Sequence, residues 1–113
     1  MDVHGKNSRL RIYIGGDKRH GDKPLYQAIV YKARQLQMAG ATVVHGTLGF
    51  GRSTRLHTTS VVFSEDLPVV VEIVDTDDKI QEFMLLLASI DEIGLVTCDD
   101  VTVVLSPNRP VAK

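Results

Sequence analysis

The sequence predicts an α+β domain of the ferredoxin-like type, in which a four-stranded antiparallel sheet carries two helices on one face. Three observations lead to this fold class. Four segments alternate apolar and polar residues as strands do, and two others repeat apolar residues at helical spacing. The order along the chain is β-α-β-β-α-β, and 113 residues are enough for one such domain with a single core.

The first half of the chain contains a strand, a helix and a second strand. Arg9 to Ile14 alternates apolar and polar residues, which predicts a strand that is covered on one face. Asp22-Lys23-Pro24 is typical of a helix start, and the apolar spacing behind it predicts a helix over about 23–39, which Gly40 ends. Thr42 to Leu48 is β-branched and alternating, which predicts the second strand.

The second half contains the other two strands and the second helix. Leu67 to Val74 predicts the third strand. Asp75 to Asp78 supplies capping and acidic residues at a helix start, and the apolar residues behind them predict a helix that ends near Gly94. Val101 to Leu105 predicts the last strand, which Ser106-Pro107 ends. The predicted buried face of the second helix consists of Ile80, Phe83, Met84, Leu87 and Ile90.

The chain is expected to divide into a flexible polar leader over residues 1–8, the domain over 9–106 and a C-terminal tail over 107–113. Thirteen Lys and Arg residues against fourteen Asp and Glu residues give a formal net charge of −1. This balance lacks the basic excess that gives proteins their affinity for nucleic-acid phosphates. We therefore expect no nucleic-acid partner.

The sequence also indicates where the protein works. The longest apolar run, Leu67 to Val71, is interrupted by Pro68 and is too short to span a bilayer, so we expect no membrane insertion. The single Cys98 has no partner for an internal disulfide or a thiolate zinc site. Asp99 and Asp100 beside it disfavour the thiolate. We therefore expect a cytoplasmic protein with one unreactive cysteine.

The sheet face turned away from the helices is predicted to be too apolar for water. The alternation directs one set of residues toward the helices, namely Leu10, Ile12, Ile14, Val69, Val71, Ile73, Val101 and Val103. The other face then carries Arg11, Tyr13, Val70, Glu72, Val74, Thr102 and Val104. We expect other copies of the chain to cover this face; the alternative is a monomer in which the leader or the tail covers it.

The densest group of anion-binding residue types follows the second strand, in a loop predicted over about 49–64. Glycines let backbone N–H groups approach an anion, arginines bind phosphate or carboxylate oxygens with two hydrogen bonds, and hydroxyl groups add donors. The candidate ligand-binding residues in and before this loop are Gly46, Gly49, Phe50, Gly51, Arg52, Arg55 and His57. The alternative is a solvated loop whose arginines pair with Glu65 and Asp66.

No metal site and no catalytic residues are expected. The four histidines lack the helical i, i+4 spacing of a zinc-binding helix. Ser53, Thr54 and His57 are close in the sequence, but no recognised signature pairs a nucleophile with a base. We therefore expect a protein that is not an enzyme and that requires no cofactor.

Several blocks of the sequence after residue 8 carry a resemblance. They are Leu10-Arg11-Ile12-Tyr13-Ile14-Gly15, Pro24-Leu25-Tyr26-Gln27-Ala28-Ile29-Val30, Ala39-Gly40-Ala41-Thr42-Val43, Gly49-Phe50-Gly51 and Leu67-Pro68-Val69-Val70-Val71-Glu72-Ile73-Val74-Asp75. In this order the blocks resemble an uncharacterised bacterial and archaeal family of PII-like proteins. A more distant resemblance, to the PII nitrogen-regulatory proteins, rests on Gly40-Ala41-Thr42-Val43, Gly49-Phe50-Gly51-Arg52 and His57.

The resemblance to PII proteins implies a homotrimer that holds an adenine nucleotide in the cleft between neighbouring subunits. It also implies that the loop after the second strand contacts a protein target, which the sequence does not identify. The residues carried over by position are Thr42, near the adenine base, and Gly49, Gly51 and Arg52, near the phosphates. Arg55 and His57 join this candidate site because of their charge and their place in the loop.

Three departures from the PII pattern narrow these expectations. One extra residue between Gly40 and Gly49 predicts a bulge in the second strand or a different exit of the loop. Residues 92–100 carry acidic residues and no lysine where PII proteins hold the triphosphate. Because acidic groups repel a third phosphate, we expect AMP, ADP, a cyclic nucleotide or another small anion rather than ATP. Residues 49–64 contain no tyrosine, so uridylylation there is not expected.

The function expected from the sequence is that of a regulatory protein that binds an adenine nucleotide at subunit interfaces and signals through the 49–64 loop. One alternative is a small anion-handling enzyme of acylphosphatase-like fold, whose anion loop follows the first strand, where this chain has Gly15 to His20 without the motif. Another is a ligand-free trimeric interaction scaffold. An RNA-recognition module is disfavoured because the third strand lacks aromatic residues that stack on bases.

Overall fold

The described part of the chain forms a four-stranded sheet, two helices and a short hairpin. The computed structural model describes residues 5–49, 67–90 and 92–105. In chain order its elements are β1 (Gly5–Gly15), β2 (Arg19–His20), β3 (Lys23–Pro24), α1 (Leu25–Gln35), β4 (Gly40–His45), β5 (Pro68–Asp75), α2 (Asp77–Leu87) and β6 (Val96–Val103). The sheet has the antiparallel order β4-β5-β1-β6, and β2 pairs with β3. This order confirms the predicted ferredoxin-like fold.

The central strand β1 is longer than the alternation of apolar residues predicted. Its pairing with β5 begins at Ser8 and its pairing with β6 begins at Gly5. Residues 5–8, which the sequence assigned to the leader, therefore extend the strand. Asn7 and Ser8 are polar but buried there, so an apolar pattern could not reveal them.

Helix α1 is shorter than predicted at both ends. Residues 23–24 form β3, and Pro24 is the N-cap, with φ −58° and ψ 140°. At the other end the backbone turns at Gln37, whose φ is 58°, three residues before the predicted stop at Gly40. The Gln37 N–H group donates to the Arg34 carbonyl oxygen at 3.0 Å, which closes the last turn. A left-handed backbone is uncommon for residues other than glycine, so the sequence favoured Gly40 instead.

Helix α2 begins at the predicted acidic cluster but ends early. Thr76 is the N-cap in an extended conformation, and Asp77 and Asp78 lie in the first turn, where their charge favours the helix dipole. The helix ends at Leu87, well before the predicted stop near Gly94. Neither helix in the described ranges is long and apolar enough to cross a membrane.

The core lies between one face of the sheet and both helices. The strands contribute Leu10, Ile12, Ile14, Val69, Val71 and Ile73, and the helices contribute Leu25, Ile29, Ala33, Ile80, Phe83 and Leu87. Each large apolar side chain buried in this way stabilises the fold by about 1.5–3 kcal/mol. Because the buried strand residues share one face of the sheet and form a single cluster with both helices, the helices cover one face, as predicted.

The face turned away from the helices, here called the open face, carries two cross-strand ion pairs. Residues directly opposite on neighbouring strands share a face, and the register places Arg9 opposite Asp99 and Arg11 opposite Glu72. The distance from Arg9 Nη2 to Asp99 Oδ2 is 2.6 Å, and that from Arg11 Nε to Glu72 Oε2 is 3.0 Å. The charged groups in the middle of this face are therefore neutralised within the chain.

The prediction for the last strand placed its residues on the wrong faces. Val101 lies opposite Asn7, so it and Val103 belong to the open face rather than to the helix-covered face. Thr102, predicted on the open face, lies on the other side. The reason is that β6 begins at Val96, five residues earlier than predicted, and polar residues of this edge strand conceal its alternation. The open face thus gains Val101 and Val103, together with the polar Thr97 and Asp99 of the same strand.

A buried carboxylate holds the end of the sheet at which β5 ends. Asp75 is fully buried, and its oxygens accept the N–H groups of Ala39 at 2.8 Å and Thr76 at 2.6 Å. Lys79 Nζ lies 3.8 Å from Asp75 Oδ2 and donates to the Gln37 carbonyl oxygen at 2.9 Å. We call Asp75, Ala39, Thr76 and Lys79 the Asp75 end. It ties the C-terminus of α1 to the N-terminus of α2.

Candidate functional site

Three connections meet at the opposite end of the sheet, where β1 and β4 end and β5 and β6 begin. The Gly46 N–H group donates to the Pro68 carbonyl oxygen at 2.7 Å, and the Gly16 N–H group donates to the Leu67 carbonyl oxygen at 2.9 Å. Gly15 lies opposite Pro68 in the sheet. We call Gly15, Gly16, Gly46, Gly49 and Pro68 the glycine end. The chain leaves this end after Gly49 and returns to it at Leu67.

Pro68 packs against two of the predicted site residues. A Cβ atom at Gly46 would lie 2.9 Å from Pro68 Cγ, and one at Gly49 would lie 3.2 Å from the same atom. Glycine at these positions therefore permits a close approach that a side chain would prevent. Because the Gly46 N–H group already donates to Pro68, its part in a ligand site would be to shape the base of the loop.

Thr42 lies in the middle of the edge strand β4, away from the glycine end. It is exposed and lies opposite Glu72, on the open face. Gly46 lies four positions further along the chain, which is about 13 Å along an extended strand. β4 pairs residue for residue with β5 from Gly40 to His45, so the bulge considered for this strand is absent. Only an elongated ligand would reach both Thr42 and the glycine end.

The other candidate residues of the loop lie outside the described residues. They are Phe50, Gly51, Arg52, Arg55 and His57. Their roles in ligand binding stay predictions. What the structure adds is the position of the two residues between which this segment is anchored, Gly49 and Leu67.

Lys18 is a cation at the glycine end that the sequence analysis did not assign to the site. Its N–H group donates to the Gly15 carbonyl oxygen at 3.1 Å, and its carbonyl oxygen accepts the Leu25 N–H group at 2.8 Å. Its Nζ lies 3.7 Å from Glu92 Oε2, and its side chain is only 19% exposed. The signal in the sequence was the run of basic residues after Gly15-Gly16, which we considered only for an acylphosphatase-like loop.

The connection between α2 and β6 lies directly against β1. The Tyr13 N–H group donates to the Leu95 carbonyl oxygen at 2.8 Å, and the Gly94 N–H group donates to the Tyr13 carbonyl oxygen at 3.2 Å. A Cβ atom at Gly94 would lie 2.8 Å from that oxygen, so glycine is needed for this approach. The pairing fixes Glu92 beside the turn that contains Lys18.

One aromatic pair stands beside the base of the loop. His45, the last residue of β4, meets Tyr26 of α1 edge to face, with ring centroids 5.5 Å apart and an interplanar angle of 87°. This contact fastens the end of β4 to the start of α1. Among the described residues no group of three or more His, Cys, Asp or Glu could hold a metal ion, and the expected absence of a metal site stays a prediction.

Shifted pKa values occur on the sheet, away from the glycine end. The hydrogen bond from Arg9 is the main cause that holds the pKa of Asp99 below its ordinary value, and the same bond raises the pKa of Arg9. Partial burial of its thiol raises the pKa of Cys98, and the charge of Asp77 adds to this effect. A raised pKa disfavours the thiolate, which supports the predicted unreactive cysteine.

The sequence has relatives that cover most of its length. The profile of the DUF190 family, described as "Uncharacterized ACR", matches residues 7–103. A UPF0166 protein of Aquifex aeolicus (strain VF5) is 32% identical over 100 residues, which are 88% of this chain and 94% of the relative. A further match to a UPF0166 protein of the same strain is 39% identical over 80 residues, 70% of this chain and 77% of the relative.

Solved structures of PII-like proteins share the fold. A PII-like signalling protein of Thermus thermophilus has a TM-score of 0.64 at 17% identity, covering 92% of this chain and 94% of that chain. CPII of Thiomonas intermedia K12, a nitrogen regulatory PII-like protein bound to ADP, AMP and bicarbonate, has a TM-score of 0.60 at 16% identity. The match covers 87% of this chain and 88% of that chain. At these identities the likeness establishes the fold.

Proposed function

We propose that this chain, which belongs to the DUF190 family and has a PII-like fold, is a regulatory protein that binds an adenine nucleotide. The nucleotide site comprises the glycine end and the edge strand β4, and the signal is a change in the 49–64 loop that a protein target reads. The protein acts in the cytoplasm as a homotrimer, without catalysing a reaction and without a required cofactor. CPII, which shares the fold, is described as bound to ADP and AMP.

The observation that carries this proposal is the packing of Gly46 and Gly49 against Pro68. With approach distances of 2.9 and 3.2 Å for an added Cβ atom, the stem of the loop has one closely packed geometry. A ligand shifts the loop between two conformations only by as much as it binds one of them more tightly, and a stem of fixed geometry gives such a ligand a preformed base. Such a base suits a loop whose conformation reports occupancy.

The open face supports assembly of several copies. Tyr13 is 37% exposed and Val44 is 54% exposed on this face, and Val101 and Val103 add to its apolar surface. Its ion pairs, such as Arg11 with Glu72, are satisfied within the chain, so an interface would bury paired rather than isolated charges. We propose that this face forms the contacts between the subunits of a trimer.

The preference for AMP or ADP over ATP follows from charge at the α2–β6 connection. In its described part, residues 88–90 and 92–95, this connection carries Glu92 and no basic residue. Asp99, which the sequence analysis included among the repelling groups, is occupied by Arg9 on the open face. Asp100 lies opposite Ser8, toward the Asp75 end, so the repulsion of additional phosphates falls mainly to Glu92.

Calorimetric titration of the full chain with AMP, ADP, ATP and cyclic AMP, each with and without magnesium, tests the proposal. We expect micromolar binding of AMP or ADP and a clear loss of affinity in Arg52→Ala, because this variant removes a predicted phosphate ligand. Arg34→Ala, in the last turn of α1, is the matched control and leaves affinity unchanged. No binding of any nucleotide by the wild-type protein would refute the proposal.

A further inference from the structure

Lys18 differs from the other partly buried cations of the described chain. Lys79 donates to a carbonyl oxygen at 2.9 Å, Arg9 to a carboxylate at 2.6 Å and Arg11 to a carboxylate at 3.0 Å. Lys18 has the least exposed side chain of the four, at 19%, yet the nearest carboxylate oxygen, on Glu92, lies at 3.7 Å. This distance is beyond that of a hydrogen bond, so within the described residues the ammonium group of Lys18 donates no hydrogen bond to a protein acceptor.

The backbone around Lys18 holds this group in place. Hydrogen bonds to Gly15 and from Leu25 fix its backbone at both ends, and Gly16 two residues earlier bonds to Leu67, where the chain returns from the loop. The ammonium group is thus a positioned, partly desolvated charge beside the stem of the loop. A charge of this kind interacts more strongly with an anion than a fully hydrated lysine does.

We propose that Lys18 binds a phosphate group of the ligand and that Glu92 limits how many phosphates the site accepts. This inference rests on the proposed function and assigns its phosphate specificity to a pair of residues. A phosphate oxygen that approaches Lys18 replaces a long contact by a charge-assisted hydrogen bond. Because the Lys18–Glu92 contact is long and Glu92 is 56% exposed, the phosphate gains this bond while the hydrated Glu92 carboxylate stays nearby.

Glu92 acts on the phosphates that follow the first. Its carboxylate lies within 4 Å of the ammonium group that the first phosphate would contact, so a longer phosphate chain meets a negative charge nearby. Each further phosphate is then disfavoured relative to the first. Lys18 therefore provides affinity for phosphate, and Glu92 provides selectivity for the shorter nucleotides.

The test is calorimetric titration of the full chain and its variants with adenosine, AMP, ADP, ATP and inorganic pyrophosphate. We expect Lys18→Met to lower the affinity for AMP by about tenfold or more while the affinity for adenosine stays unchanged. Lys18→Arg keeps the charge and restores part of the affinity. Glu92→Gln raises the ratio of the ATP affinity to the AMP affinity by about threefold or more. Lys32→Met, an exposed lysine in the last turn of α1, is the control and changes nothing.

The outcomes separate this inference from the proposed function. Equal AMP affinity in Lys18→Met and Lys32→Met would overturn the role of Lys18 while nucleotide binding stands. Pyrophosphate binding that depends on Lys18, without binding of any adenine compound, would support the phosphate site and refute the proposed function. No binding of any phosphate-containing probe would refute both. An unchanged ratio of ATP to AMP affinity in Glu92→Gln would overturn the selectivity role.

Discussion

The two ends of the sheet keep their geometry by opposite means. At the Asp75 end, a fully buried carboxylate accepts two backbone N–H groups and faces a lysine that caps the end of α1. At the glycine end, Gly46 and Gly49 pack closely against Pro68 because glycine has no side chain. The first end is therefore sensitive to the loss of a polar group, and the second to the gain of a single carbon atom.

In the proposed function, this difference separates stability from ligand binding along the length of one sheet. Both oxygens of the Asp75 carboxylate are used within the fold, which leaves little for a ligand. At the glycine end the backbone is packed, but Lys18 Nζ makes only the long contact with Glu92 among the described residues. Functional residues commonly lie on loops held by a rigid scaffold, and here the scaffold is anchored at the end away from the loop.

The strongest test of the comparison is Asp75→Ala. The substitution leaves two partly buried N–H groups without their acceptor and removes the buried counter-charge of Lys79, so the free energy of unfolding should fall by about 2–3 kcal/mol. Urea denaturation of the full chain measures this loss. The control is Glu82→Ala, at an exposed position of α2, which should change the free energy of unfolding by less than about 0.5 kcal/mol. A loss below about 1 kcal/mol for Asp75→Ala would contradict the structural role assigned to this end.

At the glycine end, Gly46→Ala should lower the free energy of unfolding by about 1–2 kcal/mol, because the added Cβ atom lies 2.9 Å from Pro68 Cγ. Adding Pro68→Ala removes that atom and should recover part of the loss in a double-mutant cycle. Gly40→Ala is the matched control: no atom lies within 4 Å of its added Cβ, so stability should not fall. Equal effects at Gly46 and Gly40, or additive effects of Gly46→Ala and Pro68→Ala, would show that close packing does not define this end.

The smallest effect on stability is expected from a substitution of Asp99, whose carboxylate is exposed whereas that of Asp75 is buried. Because Arg9 lowers the pKa of Asp99 in the folded state, the pair stabilises the fold above the pKa of the unfolded chain, and this stabilisation is lost as the pH falls through the lowered value. Asp99→Asn should therefore unfold at a slightly lower temperature than the wild type at neutral pH, and this difference should shrink as the pH falls below the ordinary pKa of an aspartate. Asp17→Asn, an exposed control, should show no such pH-dependent difference. A difference that persists in acid would mean that the ion pair is not its cause.

The sequence predicted those parts of the fold that depend on local pattern. Leu10, Ile12 and Ile14 alternate as a covered strand must, and they lie in the core as expected. The prediction that α1 extends to residue 39 was wrong because Gln37 adopts a left-handed backbone that its residue type disfavours. The prediction of which residues of β6 face the helices was also wrong. Pairing with β1, a long-range contact, decides this, and the local pattern does not.

The candidate site was predictable only in part, for similar reasons. Gly46 and Gly49 stood out as glycines, but their contact with Pro68 joins residues about twenty positions apart and has no local signature. The importance of Lys18 depends on its burial and on its distance from Glu92, and neither is a property of sequence spacing. Asp75 resembled an ordinary helix-start residue, although it accepts a hydrogen bond from Ala39, 36 residues before it.

The proline at the start of β5 also bears on how the chain avoids misfolding. β5 lies between two neighbours, and a proline inside such a strand would leave a ladder position without its N–H donor. At its first position Pro68 accepts a hydrogen bond from Gly46 and donates none. A slip that drew Pro68 one step into the ladder would forfeit a hydrogen bond and also turn Val69, Val71 and Ile73 from the core to the open face. Pro68 thus makes the observed register of β5 in the sheet more favourable than a register shifted by one residue.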